Sequence, residues 1–173
     1  MLNLKKMEKS RFCSYLIRSN FFVFIGFFFL LNFILVQLPF LCFEFGGSED
    51  VLRNTTVELM EKQGKTVLLY GTVIFVPFIE TFVFQFSIIK GVRLISKKAW
   101  VTIFLAIPLS AILFSIAHGY SIYYQAATFV GGLILAAAFF LGMYRKDWPA
   151  FFLVFMIHSC WNLFAFVMEE LTA

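Results

Sequence analysis

Four residues in this chain of 173 have types and spacings that could do chemistry together: Glu80, His118, His158 and Asn162. The two histidines are the only ones present. His158 and Asn162 stand within the apolar run FFLVFMIHSCWNLFAF, Glu80 within PFIETFVFQF, and His118 closes FSIAH. Positions i and i+4 lie one above the other on a helix, so His158 and Asn162 share a stripe. Polar heads on a membrane-length helix are costly and turn toward a bundle interior or a wet cavity. A carboxylate there can take a proton from water and pass it to a leaving amine. Neutral imidazoles can orient that water, ligate a metal or share the proton. A carboxamide offers an oxyanion a fixed, uncharged donor. These parts suffice to hydrolyse a peptide bond without a covalent intermediate. Neither an HExxH motif nor a serine in a GxSxG setting occurs, which excludes the zincin and α/β-hydrolase routes.

The elements that must position these groups are membrane helices. The chain is 61% hydrophobic and 14% charged, against about 45–50% and ~25% for a soluble domain. A span needs ~20 mostly apolar residues. Five segments qualify: Asn20–Phe43, Lys65–Ile89, Ala99–Ala117, Tyr123–Met143 and Trp148–Met168. Ser48–Gly64 is too polar to span; Val51, Leu52, Leu59 and Met60 fall on one face, as in a short amphipathic helix on a membrane surface. The expected fold is therefore all-α, a polytopic bundle of about five transmembrane helices plus one short interfacial helix. Residues 1–19 form a basic segment and residues 20–173 a single membrane domain. Asn32 in the first span is expected to bond a neighbouring helix. Pro77 opens or kinks the second span just before Glu80, and Pro108 does the same to the third. Ala127/Gly131, Gly132/Ala136 and Ala138/Gly142 are small-xxx-small pairs that let the fourth span pack closely.

Charge sets the orientation. Lys5, Lys6, Lys9, Arg11 and Arg18 precede the first span, Lys90, Arg93, Lys97 and Lys98 follow the second, and Arg145 and Lys146 follow the fourth. Of the 14 Lys and Arg, only Arg53, Lys62 and Lys65 fall on the other side, beside Glu44, Glu49, Asp50, Glu58, Glu61, Glu169 and Glu170. The positive-inside rule places the N-terminus in the cytoplasm and the C-terminus outside. The net charge of +4 is thereby accounted for without nucleic-acid binding. The first apolar run is too long for a signal peptide and lacks a small-x-small cleavage site, so it reads as an uncleaved anchor. Cys13, Cys42 and Cys160 have neither metal-like nor disulfide-like spacing.

In chain order these motifs are ExxxxQ on one span, FxxxH ending the next and HxxxN two spans later. That pattern resembles the CAAX protease and bacteriocin-processing (CPBP) family of intramembrane endopeptidases over residues 70–166. The family's first motif is usually EExxxR; Glu80 matches its leading Glu, while Thr81 and Gln85 replace the second Glu and the Arg. Both charges are lost together, leaving a neutral supporting pair able to hydrogen-bond. FxxxH places Phe114 and His118, and HxxxN places His158 and Asn162. The resemblance implies that Glu80 and His118 activate water while His158 and Asn162 steady the oxyanion. It implies a peptide or membrane-anchored protein substrate cut near the bilayer, in a plasma membrane read as bacterial. It leaves open whether zinc takes part; Glu80, His118 and His158 would be its ligands.

Two other readings stay open on the residues alone. One is a non-catalytic scaffold, regulator or immunity protein on the same fold, kept alive by Thr81 and Gln85. The other is a proton-linked transporter with Glu80 and the histidines as a relay, although no inverted repeats or paired broken helices are evident. Depth poses a geometric demand on all of them. Glu80 and His158 each lie roughly 15 Å from the basic ends of their spans, and His118 lies nearly twice as far from Ala99. A kink, a tilt or a shifted helix end must bring the three level.

Overall fold

A computed structural model describes residues 10–37, 62–119 and 121–172. Pro39, Cys42 and nearly all of the expected surface helix Ser48–Gly64 lie outside the described residues. Helices account for the ordered elements among those described: α1 (Arg11–Arg18), α2 (Phe21–Val36), α3 (Lys65–Ile95), α4 (Ala99–Ala117), α5 (Ile122–Gly142) and α6 (Ala150–Thr172). The last four are long and apolar enough to cross a bilayer, and α2 is a shorter apolar helix. The protein is an all-α integral membrane bundle.

Capping chemistry explains the boundaries. Ser10 accepts the Cys13 amide at 3.4 Å to start α1, Asn20 accepts that of Val23 at 2.9 Å to start α2, and Ser121 that of Tyr124 at 3.1 Å to start α5. Each supplies an acceptor to a first-turn N–H that has no partner in its own helix. α3 runs to Ile95 rather than Ile89, because Lys90 and Arg93 lie on a helix that still buries Ile89 and packs Val92 on the core. Long basic side chains tolerate such a position by reaching outward along apolar surface. The helix stops at Ser96, where the backbone turns extended and the Ser96 N–H bonds the Val92 carbonyl.

This extension removes most of the difference in depth between Glu80 and His118. With 31 residues, α3 is about 46 Å long at 1.5 Å per residue, more than the ~30 Å hydrocarbon core. Glu80 then lies about 22 Å from Ile95, and His118 about 28 Å from Ala99. Side chains lean toward the N-terminus of their helix. Glu80 therefore leans away from Ile95 and His118 back toward Ala99, closing the remaining few ångströms.

Neither proline breaks its helix. Each follows a widened π turn, Gly71–Phe75 before Pro77 and Thr102–Ala106 before Pro108. The Val76 N–H reaches the Gly71 carbonyl and the Ile107 N–H that of Thr102, five residues back. Extra room in the preceding turn accommodates a ring that would otherwise meet a carbonyl four residues earlier. Another π stretch, Thr81–Ser87, begins directly after Glu80.

α5 lies at the centre of the bundle. Gly132 brings it against α4 so closely that a Cβ there would meet Ala111 Cα at 3.0 Å and Phe114 Cδ1 at 3.2 Å. Gly142 meets Ala150 of α6 in the same way, at 3.1 Å. The small-residue stripe thus sets two helix separations. Aromatic seams close the rest: Phe84 on Phe114 joins α3 to α4, Phe78 on Phe151 and Phe155 joins α3 to α6, and Phe29 and Phe33 on Phe164 join α2 to α6. Asn32 is buried beside Gly131 of α5, and its Oδ1 has no protein partner. At the basic end, the buried Arg145 side chain donates to the Leu16 and Ser19 carbonyls at 2.9 and 2.7 Å, pairs with Asp147, and covers the Phe24 ring. That cation fastens the α1–α2 elbow to the α5–α6 turn.

Candidate active site

Glu80 sits midway along α3, where α4 and α6 both approach. One carboxylate oxygen lies 3.4 Å from His118 Nε2 and the other 3.5 Å from His158 Nε2. The Glu80 side chain keeps 20% of its surface accessible, against 12% and 5% for the two histidines. Three helices therefore bring two imidazoles to one carboxylate, with the acid the most open of the three.

The other ring nitrogens differ in their partners. His118 ends α4, with its backbone out of the helical region and its N–H on the Ser115 carbonyl. Its Nδ1 lies 2.7 Å from the Phe114 carbonyl oxygen. A carbonyl only accepts, so we assign the proton of neutral His118 to Nδ1, which leaves a lone pair on Nε2 facing Glu80. His158 Nδ1 is buried without a protein partner. We assign its proton to Nε2, where it can donate to an oxygen. The Phe114 ring lies beside both imidazoles, with centroids 4.4 Å from His118 and 5.8 Å from His158. Tyr124 flanks His118 and Trp161 flanks His158, at 6.0 and 6.2 Å. These two rings had no signal in the sequence beyond being aromatic.

Asn162 lies one turn beyond His158 on α6. Its Nδ2 donates to the Thr72 backbone carbonyl at 2.8 Å, across the α3–α6 seam. The amide group has two hydrogens, so one remains after this bond. Thr81 and Gln85 are both fully buried, yet Thr81 Oγ1 and both polar atoms of Gln85 have no protein hydrogen-bond partner. The hydrogen bond expected of this neutral pair is not formed.

A metal must have its ligands converge on one point. No group of three His, Cys, Asp or Glu among the described residues is arranged to hold an ion. Glu80, His118 and His158 thus do not fit a zinc site as they stand. Cys13 and Cys160 are free thiols.

Comparison with protein families finds one described as type II CAAX prenyl endopeptidase Rce1-like, whose model matches residues 62–164, more than half of the chain. The match takes in α3, α4, α5 and most of α6, and with them all four candidate residues. No curated protein and no solved structure matches the chain.

Proposed function

The chain belongs to the type II CAAX prenyl endopeptidase Rce1-like family, and from that premise we propose an intramembrane endopeptidase in which Glu80 activates the attacking water. The observation that carries this reading is a single carboxylate with each oxygen facing a separate imidazole, at 3.4 and 3.5 Å. A water held between Glu80 and the His118 Nε2 lone pair gives up a proton to the carboxylate as its oxygen bonds the scissile carbonyl carbon. The carbonyl oxygen becomes an oxyanion, facing the His158 Nε2–H and the remaining Asn162 amide hydrogen. Glu80 returns the proton to the amide nitrogen as the C–N bond breaks, leaving an amine and a carboxylic acid, which then gives its remaining proton to water. No step is routed through a metal. Apolar surroundings lower the local dielectric, so a fixed dipole acts more strongly on the developing charge than it would in water.

The substrate is a peptide or membrane-anchored protein that reaches the site from the bilayer. The N-terminus and the basic connections lie in the cytoplasm, following the positive-inside rule. Reconstitution in liposomes with fluorogenic membrane-anchored peptides, with and without a C-terminal prenylated cysteine, tests the reading. Cleavage by the wild type and none by Glu80→Gln is the expected result. Equal cleavage by both removes Glu80 from the mechanism. Proton flux under a pH gradient with no cleavage of any peptide would replace proteolysis by transport.

A further inference from the structure

The Asn162 side chain is held by a carbonyl that Pro77 leaves without a backbone donor. The Val76 N–H goes five residues back, to Gly71. In that register the next carbonyl, Thr72, falls to the N–H of residue 77. Residue 77 is proline and has none. A carbonyl orphaned in the apolar interior costs free energy unless something donates to it. The donor is Asn162 Nδ2, at 2.8 Å from the other helix. The Thr72 hydroxyl cannot serve, since it donates to Leu68 in its own helix at 2.8 Å.

We propose that Pro77 is a positioning residue: by freeing the Thr72 carbonyl it captures one hydrogen of the Asn162 amide and fixes the direction of the other. The inference rests on the proteolytic reading for its effect on turnover, and on geometry alone for the link between α3 and α6. An amide is planar, so pinning one N–H sets the second at a fixed angle in the same plane. Asn162 stands one turn, about 5–6 Å, beyond His158, on the stripe that faces Glu80. A free amide would rotate among orientations; a captured one presents its second hydrogen in a single direction, a precondition for a preorganised donor. Placing a proline five residues after the receiving threonine is thus a device that exposes an acceptor at a chosen depth.

Pro77→Ala tests this, because it restores an N–H able to take the Thr72 carbonyl and release Asn162. In the reconstituted cleavage assay, Pro77→Ala should lower kcat roughly tenfold with KM within about twofold, since a misoriented catalytic group costs rate more than binding. In an Asn162→Ala background the same change should lower kcat by less than about twofold, the amide being gone already. Equal losses in both backgrounds would overturn the proposal, because Pro77 would then act through helix shape. So would full activity of Pro77→Ala. A second cycle needs no substrate. Asn162→Ala should lower Tm by roughly 2–4 °C in the wild type and by clearly less in Pro77→Ala. Identical shifts in both would overturn the link itself. If the wild type cleaves nothing, this thermal cycle still decides the link, and only the proteolytic reading falls.

Discussion

His118 Nδ1 lies 2.7 Å from the carbonyl oxygen of Phe114, one turn back on the same helix, and that bond aims the opposite nitrogen at Glu80. The partner is the backbone of Phe114, whose ring meanwhile packs beside both imidazoles. Position 114 therefore supports the site twice, once by an atom every residue has and once by its side chain.

His118→Ala and His158→Ala should each lower kcat by roughly 10²-fold or more, the usual scale for a positioned proton-transfer group or oxyanion donor. Phe114→Leu should cost much less than His118→Ala, because the carbonyl that orients the ring survives. Steady-state kinetics on the three variants checks this ordering. Near-normal turnover in either histidine variant removes that residue from the mechanism.

Thr81→Ala should be mild, within roughly threefold in kcat. Its hydroxyl is buried without a protein partner, so its removal breaks no hydrogen bond within the chain. A loss as severe as that of Glu80→Gln would mean that position 81 carries part of the base function.

Gly132→Ala should impair both stability and turnover. The added Cβ would meet Ala111 backbone at 3.0 Å and the Phe114 ring at 3.2 Å, so α4 must move and carry His118 with it. A strain of this kind typically costs ~1–3 kcal/mol. Gly26→Ala serves as the control, having nothing within 4 Å of the new atom. Thermal melts and kcat for the two variants, showing equal small effects, would contradict the close packing described.

Acid should weaken the fastening at the basic end. The hydrogen bond from Arg145 holds the Asp147 carboxyl below the ordinary carboxylate range. An acid depressed on folding contributes stability that is fully present above its unfolded pKa of about 3.9 and lost as pH falls through the lower folded value. Wild-type Tm should therefore fall more steeply than that of Asp147→Asn below about pH 4. Arg145→Ala should cost ~2–3 kcal/mol at neutral pH, since it leaves the Leu16 and Ser19 carbonyls without this donor. Parallel Tm profiles for the wild type and Asp147→Asn would argue against the first expectation.

Chelation should leave cleavage unchanged, because no group of three His, Cys, Asp or Glu among the described residues is arranged to hold an ion. The check is a titration with a strong chelator, paired with metal analysis of the purified protein. Activity that vanishes with a stoichiometric metal and returns on its addition would require Glu80, His118 and His158 to rearrange around an ion.

Much of this protein was legible from residues alone. Apolar runs of membrane length defined α3 to α6, since no water in the bilayer means a span must satisfy its backbone internally. The i, i+4 spacing of His158 and Asn162 put them on one stripe, as a helix requires. Glu80 stood out because an acid in an apolar run needs a reason to be there. What one chain position cannot encode is how far along its axis a neighbouring helix sits. The end of α3 at Ile95 rather than Ile89 depended on Ile89 and Val92 finding a core to pack on. That register decided whether Glu80 and His118 could meet. Likewise, the Thr72 carbonyl is identical to every other carbonyl in the sequence. Only the π turn before Pro77, and the helix packed against it, gave that oxygen to Asn162. Local composition fixes which segments become helices; the depth at which their side chains meet follows from packing between segments far apart in the chain.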